Sequence, residues 1–483
     1  MKKILVFLAA LLIFTSCATE NEIESTSLDP KEPVSIVLWH YYSDNNKRAI
    51  EDAVERFNQT VGLEKGIIVT PMQKGTLQEL EEAITNSAKG VITSDATPDI
   101  FSAYPDKAVE IDNLGKLADM SPYFTDEDRS IYVKEFLESG IYEDKLLMVP
   151  IVKSTEVFYL NETDWNAFAE KSDVNEKDLE SFEGIYEVAK KYYEYTDSLT
   201  PDVEGDGKGF IGFDVLANYI IVGGRQQDVE FINPAIKGAM IDKAKLKKLF
   251  DIYTEGMANG YFYSSGKFRS DNIKSGDIIS YIGSTSGASH FPTWVEENNT
   301  ERNISLKVLP YPRLKDEDYY TVQQGAGMSI FKSEEKREEA SSEFLKWFTS
   351  SEENMKFAMV SGYLPSNKEV YSSEEFKQAV DSMDENDPIQ FNLKKVYEIV
   401  PDQIFTSSAY STSPFEGSYD IRRILETSLV EITDQIVKDA NDIKGKEGNE
   451  NLIEKLSMDK YFETWIANIK MELDKKNIPY EER

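Results

Sequence analysis

Residues 321–367 read TVQQGAGMSIFKSEEKREEASSEFLKWFTSSEENMKFAMVSGYLPSN, and this stretch decides the fold. Gln323 and Gln324 precede Gly325-Ala326-Gly327, so two amides are followed by small residues that let another backbone or a ligand come close. Met328, Ile330 and Phe331 predict a short buried strand. Ser333, Glu334 and Glu335 predict a helix start, because a hydroxyl caps free amides and early acids suit the helix dipole. Ala340, Phe344 and Phe348 recur every four residues, and Leu345 and Trp347 widen that apolar face. Met355 and Met359 carry the same spacing into a second helix. Gly362 is placed to end it, and Tyr363-Leu364-Pro365 forces an extended exit.

Working outward, the chain has 483 residues, enough for two or more domains with large cores. A hydrophobic fraction of 40% with 12% aromatics belongs to a folded protein rather than a disordered one. The formal charge of −34 argues against a nucleic-acid backbone as partner, since that needs a basic surface. It suits a solvated, soluble exterior.

The first 17 residues read as an export address. Lys2 and Lys3 form the positive region, and residues 4–14 are an apolar run too short to span a bilayer at about 20 residues. Thr15-Ser16-Cys17 follows, and Cys17 is the only cysteine. The pattern resembles a bacterial lipobox, in which the cysteine is lipidated and becomes the mature N-terminus. Phe14 departs from the usual leucine. A lone thiol in an exported chain otherwise has no partner. Residues 18–32 are polar and read as a tether.

Globular structure begins near Val34. Residues 35–39 predict a buried strand, and residues 40–44 the loop at its carboxyl end. A helix with Ile50, Val54 and Phe57 on one face follows, then a strand at 67–70. That strand–helix–strand order implies a parallel sheet, in which ligands sit at the carboxyl ends of strands. Residues 77–88 predict a helix, 97–104 a third strand and its exit, and 140–150 a hairpin turned at Glu143-Asp144. Further helices are expected at 179–195, 243–258, 370–400 and 418–440, with a mobile loop at 441–452 before a last helix.

Catalytic motifs are scarce. The sequence has no Gly-rich phosphate loop, no G-x-S-x-G elbow and no H-E-x-x-H. Its two histidines, His40 and His290, cannot build a multi-histidine metal site. Asp202-Val203-Glu204-Gly205-Asp206-Gly207 imitates the start of a calcium loop, but Phe213 stands where the bidentate glutamate belongs, so the stretch reads as a solvated turn. No metal and no cofactor is expected.

The glycine segment, the aliphatic strand, the FLKWFTS helix and the GYLP exit come in the order that resembles bacterial ABC-importer extracellular solute-binding proteins, carbohydrate-binding (family 1) group, in lipoprotein form. PDIF at 98–101, the G-x-Y-x-x-K-L-x-x-x-P segment at 140–150 and the YLN strand at 159–161 extend the likeness over roughly residues 34–440. The resemblance implies an α/β fold of two lobes, a type II periplasmic-binding-protein architecture. Each lobe would be a mostly parallel sheet flanked by helices, with a hinge and a ligand cleft between them. Residues 33–150 plus 311–361 would form the first lobe and 151–310 plus 362–483 the second, the return crossing falling at 309–312.

It also implies the site. Trp39, His40, Tyr41, Tyr42, Asp44, Ser102, Tyr104, Gln323, Gln324 and Gly325 would line the first lobe's wall. Ser154, Thr155, Glu156, Ser284, Thr285, Ser286 and Trp294 would line the second. Tryptophan and tyrosine could stack on a sugar ring, and hydroxyls and amides could bond its hydroxyls. Trp39 reads equally as core. Arg269 and Arg422 are candidate cations that read more readily as surface ion pairs. The implied solute is a sugar, passed by a monomeric, lipid-anchored protein at the outer face of the cytoplasmic membrane to a permease and its ATPase. A phosphoester such as glycerol-3-phosphate is the alternative within the group and needs Arg or Lys in the cleft. A secreted glycoside hydrolase or lyase, or an adhesin, would be the reading from another class.

Overall fold

The computed structural model describes residues 28–203, 205–297, 300–448 and 451–483. The export address, Cys17 and most of the tether lie outside them, as does Glu204 of the calcium-like stretch.

The first lobe is built on the strand Val34–His40, whose Ile36 and Leu38 point inward and are fully buried. It pairs in parallel with Ile67–Gln73 and with Ile100–Ala103. Gly327–Ile330 adds to Ile100–Ala103 antiparallel, and Val149–Pro150 completes the five-stranded sheet beyond it. One strand therefore runs against four. On one face, helix Asp44–Gln59 buries Ile50, Ala53, Val54 and Phe57. Helix Glu335–Phe348 brings Phe344 edge-on to Phe57 at 5.1 Å. On the other face, helix Leu77–Ala88 sets Leu80 and Ile84 among Trp39 and Phe101. Thr76 and Glu79 close a reciprocal cap at its start, satisfying two otherwise free amides.

The second sheet runs Leu306–Leu309, Glu156–Asn161, Ser280–Ser284, Ile211–Phe213. Glu156–Asn161 is antiparallel to both neighbours and Ser280–Ser284 is parallel to Ile211–Phe213, so again a single strand opposes the rest. Every residue of Glu156–Asn161 is buried, because helices cover both faces. Phe158, Leu160 and Phe210 pack with helices Phe182–Asp197, Leu216–Gln226, Lys243–Asn259 and Met458–Lys475. Val157, Tyr159 and Tyr281 pack with helix Pro388–Thr406 on the opposite side.

The lobes are joined by three chain passages side by side. Val152–Lys153 pairs antiparallel with Leu364–Pro365, and Ser154 exchanges backbone hydrogen bonds with Gln324 at 2.8 and 3.0 Å. Gly362, at φ +72°, ends helix Ser351–Ser361 and turns the chain into this joint.

Several local expectations shift. The segment after 309 does not enter the first sheet at once: Tyr311, Leu314 and Val322 pack in the second-lobe core, and the first sheet is reached at Gly327. Ser333 does not cap a helix. It donates its N–H to the Glu338 carboxylate at 2.7 Å, and the helix begins at Glu335. Residues 441–447 continue helix Ser418–Glu447 rather than forming a loop, since Ala440 and Ile443 still find the second-lobe core. Helix Ser351–Ser361 buries Phe357 and Ala358, while Met355 and Met359 are only partly covered. In the calcium-like stretch, Asp206 accepts from the Thr200 hydroxyl at 2.5 Å, and Asp197 accepts the N–H groups of Gly205 and Asp206. Among the described residues no group of three His, Cys, Asp or Glu is placed to hold a metal.

Candidate functional site

A cavity of about 650 Å³ opens where the lobes meet the joint. The first lobe supplies the start of helix Leu77–Ala88, with Gln78 and Glu81, and the exit of strand Ile100–Ala103, with Tyr104 and Asp106. The joint supplies Lys153, Gln323, Gln324 and Gly325. The second lobe supplies Asn218 and Ile221 from helix Leu216–Gln226, and Tyr410, Tyr419 and Arg422 from the segment around the start of helix Ser418–Glu447.

Asn218 organises the floor. It is fully buried. Its Nδ2 donates to Glu156 Oε1 at 2.7 Å and more distantly to Gln324 Oε1 at 3.4 Å, and its Oδ1 accepts from Arg422 Nη2 at 2.6 Å. One amide thus ties the second sheet, the joint and helix Ser418–Glu447 together. Burial pushes the Glu156 carboxyl up to about 8, against the opposing pull of the Asn218 hydrogen bond and the Arg422 charge. Glu156 is therefore largely protonated at neutral pH, which is how a buried carboxyl avoids an uncompensated charge.

Lys153 is the other internal ionisable group. Only 1% of it is exposed. Its ammonium donates to the Gly325 carbonyl at 2.9 Å and to Ser139 Oγ at 3.3 Å, both neutral. Burial alone brings it down from 10.5 to about 7. Gly325 makes this possible by standing at φ +118°, in the region that side chains disfavour, with Val152 O and Lys153 Cα each 3.5 Å from where a Cβ would sit. Gln323 is buried, and its Oε1 has no partner among the described residues. Tyr104 is pushed up to about 12, first by burial and then by neighbouring Tyr363, Glu81 and Asp106, while Arg422 pulls the other way.

Of the residues expected from sequence, the structure brings Tyr104, Gln323, Gln324 and Gly325 to the cavity wall. Glu156 lies behind that wall on Asn218. Ser154 and Thr155 build the joint: Ser154 pairs with Gln324, and the Thr155 hydroxyl donates to Val322 O at 2.6 Å. Trp39 is core, with the Lys74 ammonium 4.1 Å from its ring. His40 and Ser102 are fully buried. His40 lies 5.8 Å from the Tyr42 ring, and burial lowers it to about 4. Tyr42 packs in the first-lobe core, and half-buried Tyr41 lies against it. Asp44 is exposed at the start of its helix. Thr285 is buried, Ser284 shares a hydrogen bond with Ser286, and Ser286 faces the Tyr363 hydroxyl. Trp294 sits on a two-stranded hairpin of the second lobe with the Lys274 ammonium 4.3 Å from its ring. Arg269 is 3% exposed and holds its own loop, donating to Ser265 O and Gly266 O.

Lys153, Asn218, Tyr410 and Tyr419 escaped the sequence reading. Lys153 had a signal: it is the one cation directly after the apolar run MVPIV, which the fold must bury. Tyr410 and Tyr419 flank a Ser/Thr/Pro/Gly-rich stretch, the composition of a loop that carries function rather than core. Asn218 had none.

Comparison with known structures places the fold. A cyclic α-maltosyl-1,6-maltose binding protein from Arthrobacter globiformis superposes with a TM-score of 0.64 at 16% identity, covering 91% of this chain and 99% of its own. UgpB from Mycobacterium tuberculosis, in complex with glycerophosphocholine, gives 0.61 at 17% identity over 92% and 100%. An ABC substrate-binding protein from Listeria monocytogenes, in complex with cycloalternan, gives 0.61 at 16% over 87% and 100%. No curated protein sequence matches the chain. The model of a family described as bacterial extracellular solute-binding protein matches residues 52–384, and the cavity wall at Tyr410, Tyr419 and Arg422 lies beyond that range. With more than half of its length matched and both lobes in place, the chain belongs to the bacterial extracellular solute-binding proteins.

Proposed function

We propose that this protein captures a small hydroxylated solute, of the carbohydrate class, between its lobes and presents it to the permease of an ABC importer. The observation that carries the reading is the cavity at the joint, with amides from Gln323, Gln324 and Asn218 beside the rings of Tyr104, Tyr410 and Tyr419. Amides bond hydroxyls in pairs, and tyrosine faces stack on the apolar side of a sugar ring. The volume is within the range of small-molecule sites, about 300 to 1,000 Å³. A solute touching both lobes gains its full contacts only when they are shut, so binding shifts the population toward closure. The protein acts as a monomer and carries out no chemical step. Cys17 bears the lipid that keeps it at the outer face of the cytoplasmic membrane, in keeping with the lone cysteine after a short apolar run. Among the described residues no helix is long and apolar enough to cross a membrane.

The test is a thermal-shift panel of neutral and acidic mono- and oligosaccharides and phosphoesters. A ligand at 100 times its dissociation constant adds about 2.7 kcal/mol of stability, a readable shift. Hours of incubation with the stabilising compound, followed by mass analysis, should return it unchanged. Turnover lost on replacing one carboxylate would instead mark a hydrolase.

A further inference from the structure

We infer that the captured solute carries an anionic group, a carboxylate or a phosphate, and that this group seats between the Lys153 ammonium and the Arg422 guanidinium. The inference rests on the capture reading and narrows its solute class. Both cations line the one cavity. Among the described residues neither is paired with a carboxylate, although Glu426, one turn after Arg422, takes the Ala217 N–H nearby and acts on Glu156 as Arg422 does, with the opposite sign. Lys153 is buried to 1% exposure and donates to a carbonyl and a hydroxyl. Arg422 donates to the Asn218 side-chain oxygen, and among the described residues it makes no ion pair. The acid that sits behind Asn218, Glu156, is held protonated by burial and supplies no counter-charge at neutral pH. A buried cation without a counter-ion is costly to keep. A neutral ring needs no such device, since the amides already serve its hydroxyls. An incoming carboxylate or phosphate supplies what is missing: a charge-assisted pair with a guanidinium fork on one side and an ammonium on the other.

The remaining charged groups on the wall sort the geometry. Glu81 and Asp106 line the wall at the first-lobe end and oppose the ionisation of Tyr104, which Arg422, from the second lobe, favours. They repel an anion from that end and leave the second-lobe end for it. The solute would then lie with its hydroxylated body across Tyr104 and its acid against Lys153 and Arg422. This places a specificity determinant, Arg422, outside the segment matched by the family model.

The site also titrates in a useful window. Free Lys153 loses its proton near 7, and an adjacent anion holds the proton on, so binding takes up a proton above that pH. Glu156 ionises near 8 beside Arg422 and weakens the anion's hold in the same direction. For a site that needs protonated Lys153, affinity falls about tenfold between pH 6 and pH 8.

The experiment is calorimetric titration of the full chain with two probe pairs: digalacturonate against its dimethyl ester, and glycerol-3-phosphate against glycerol. The two pairs distinguish a carboxylate source from a phosphate source. The expected result is that one acid binds at least tenfold more tightly than its neutral counterpart and weakens about tenfold from pH 6 to pH 8. Lys153→Met should remove the part of the pH dependence centred near 7 and leave only the weaker fall that Glu156 brings near 8, and Arg422→Gln, at a half-buried position, should cost at least tenfold with the fold intact by circular dichroism. Neutral probes that bind as tightly as the acids, at an affinity untouched by Arg422→Gln and by pH, would overturn the inference while leaving solute capture standing. Silence from every probe and from the thermal-shift panel would overturn capture itself, and this inference with it.

Discussion

Replacing Lys153 by methionine should make the protein more stable at pH 6 and less stable at pH 10. The side chain keeps nearly the same length and loses its charge. Folding brings the ammonium from its ordinary 10.5 to about 7. Below 7 both the folded and the unfolded chain hold the proton, and the folded chain bears the whole cost of burying it. Between 7 and 10.5 folding releases that proton, so stability rises with pH and the cost fades. At 1.36 kcal/mol for each pH unit, the cost below 7 is on the order of 5 kcal/mol. Methionine removes it but leaves the Gly325 carbonyl and Ser139 hydroxyl short of a donor, at about 1 to 3 kcal/mol. The net is a gain of about 2 to 4 kcal/mol at pH 6 and, with a little of the burial cost still present, a loss of up to about 2 kcal/mol near pH 10. Urea unfolding of parent and variant at pH 6, 8 and 10, followed by tryptophan fluorescence, reads the difference directly. A variant less stable than its parent at pH 6, or a gain that grows with pH, would refute the placement of an unpaired ammonium in the joint.

The other predictions concern separate parts of the molecule. Glu156→Gln keeps an oxygen for Asn218 and removes the titration; because burial raises this carboxyl to about 8, the variant should match its parent at pH 4 and exceed it by a few kcal/mol at pH 8, as urea midpoints will show. Asp99 is 4% exposed, takes two 2.7 Å hydrogen bonds from Arg337 and a third from the Val37 N–H, so Asp99→Ala should cost about 3 to 5 kcal/mol and lower the melting temperature of the first lobe. Cys17→Ser should move the protein from the membrane fraction to the soluble fraction of a bacterial host, and unchanged partition would mean that lipid is not the anchor.

What the sequence made legible follows from periodicity and turn chemistry. Leu77–Ala88 forms over the residues its apolar spacing predicts, and Glu143-Asp144 turns its hairpin with φ of +48° and +64°, where acidic and amide side chains are tolerated. Gly362 stops its helix for the reason the sequence offers. The site was legible in part, because it is assembled from segments far apart in the chain. Gln323, Gln324 and Gly325 announce themselves by composition, and Tyr104 by its place at a strand's carboxyl end. Trp39, Tyr42 and Ser102 stand on or beside the same strand ends, yet they are buried in the first lobe, and one strand's exit loop serves the cavity where the other's is packed over. Asn218 sits in a helix whose first nine residues are all buried, so its polar role is invisible without knowing that Glu156 and Arg422 converge on it. The return to the first lobe is deferred past 312 because Tyr320–Val322 first pairs with Ser408–Tyr410, a contact between segments some 90 residues apart that no local pattern encodes.

The central claim is that solute is held in the cavity at the joint rather than elsewhere on the lobes. Calorimetric titration of whichever solute stabilises the parent, carried out on Tyr419→Ala and Trp294→Ala, tests it most directly. Tyr419 lines the cavity and is 65% exposed, so its removal spares the fold, whereas Trp294 stands on its hairpin under Lys274. A lost stacking face is worth about 1 kcal/mol or somewhat more, roughly a fivefold to tenfold loss of affinity. The account predicts that loss in Tyr419→Ala and parental affinity in Trp294→Ala; parental affinity in Tyr419→Ala together with a loss in Trp294→Ala would contradict it.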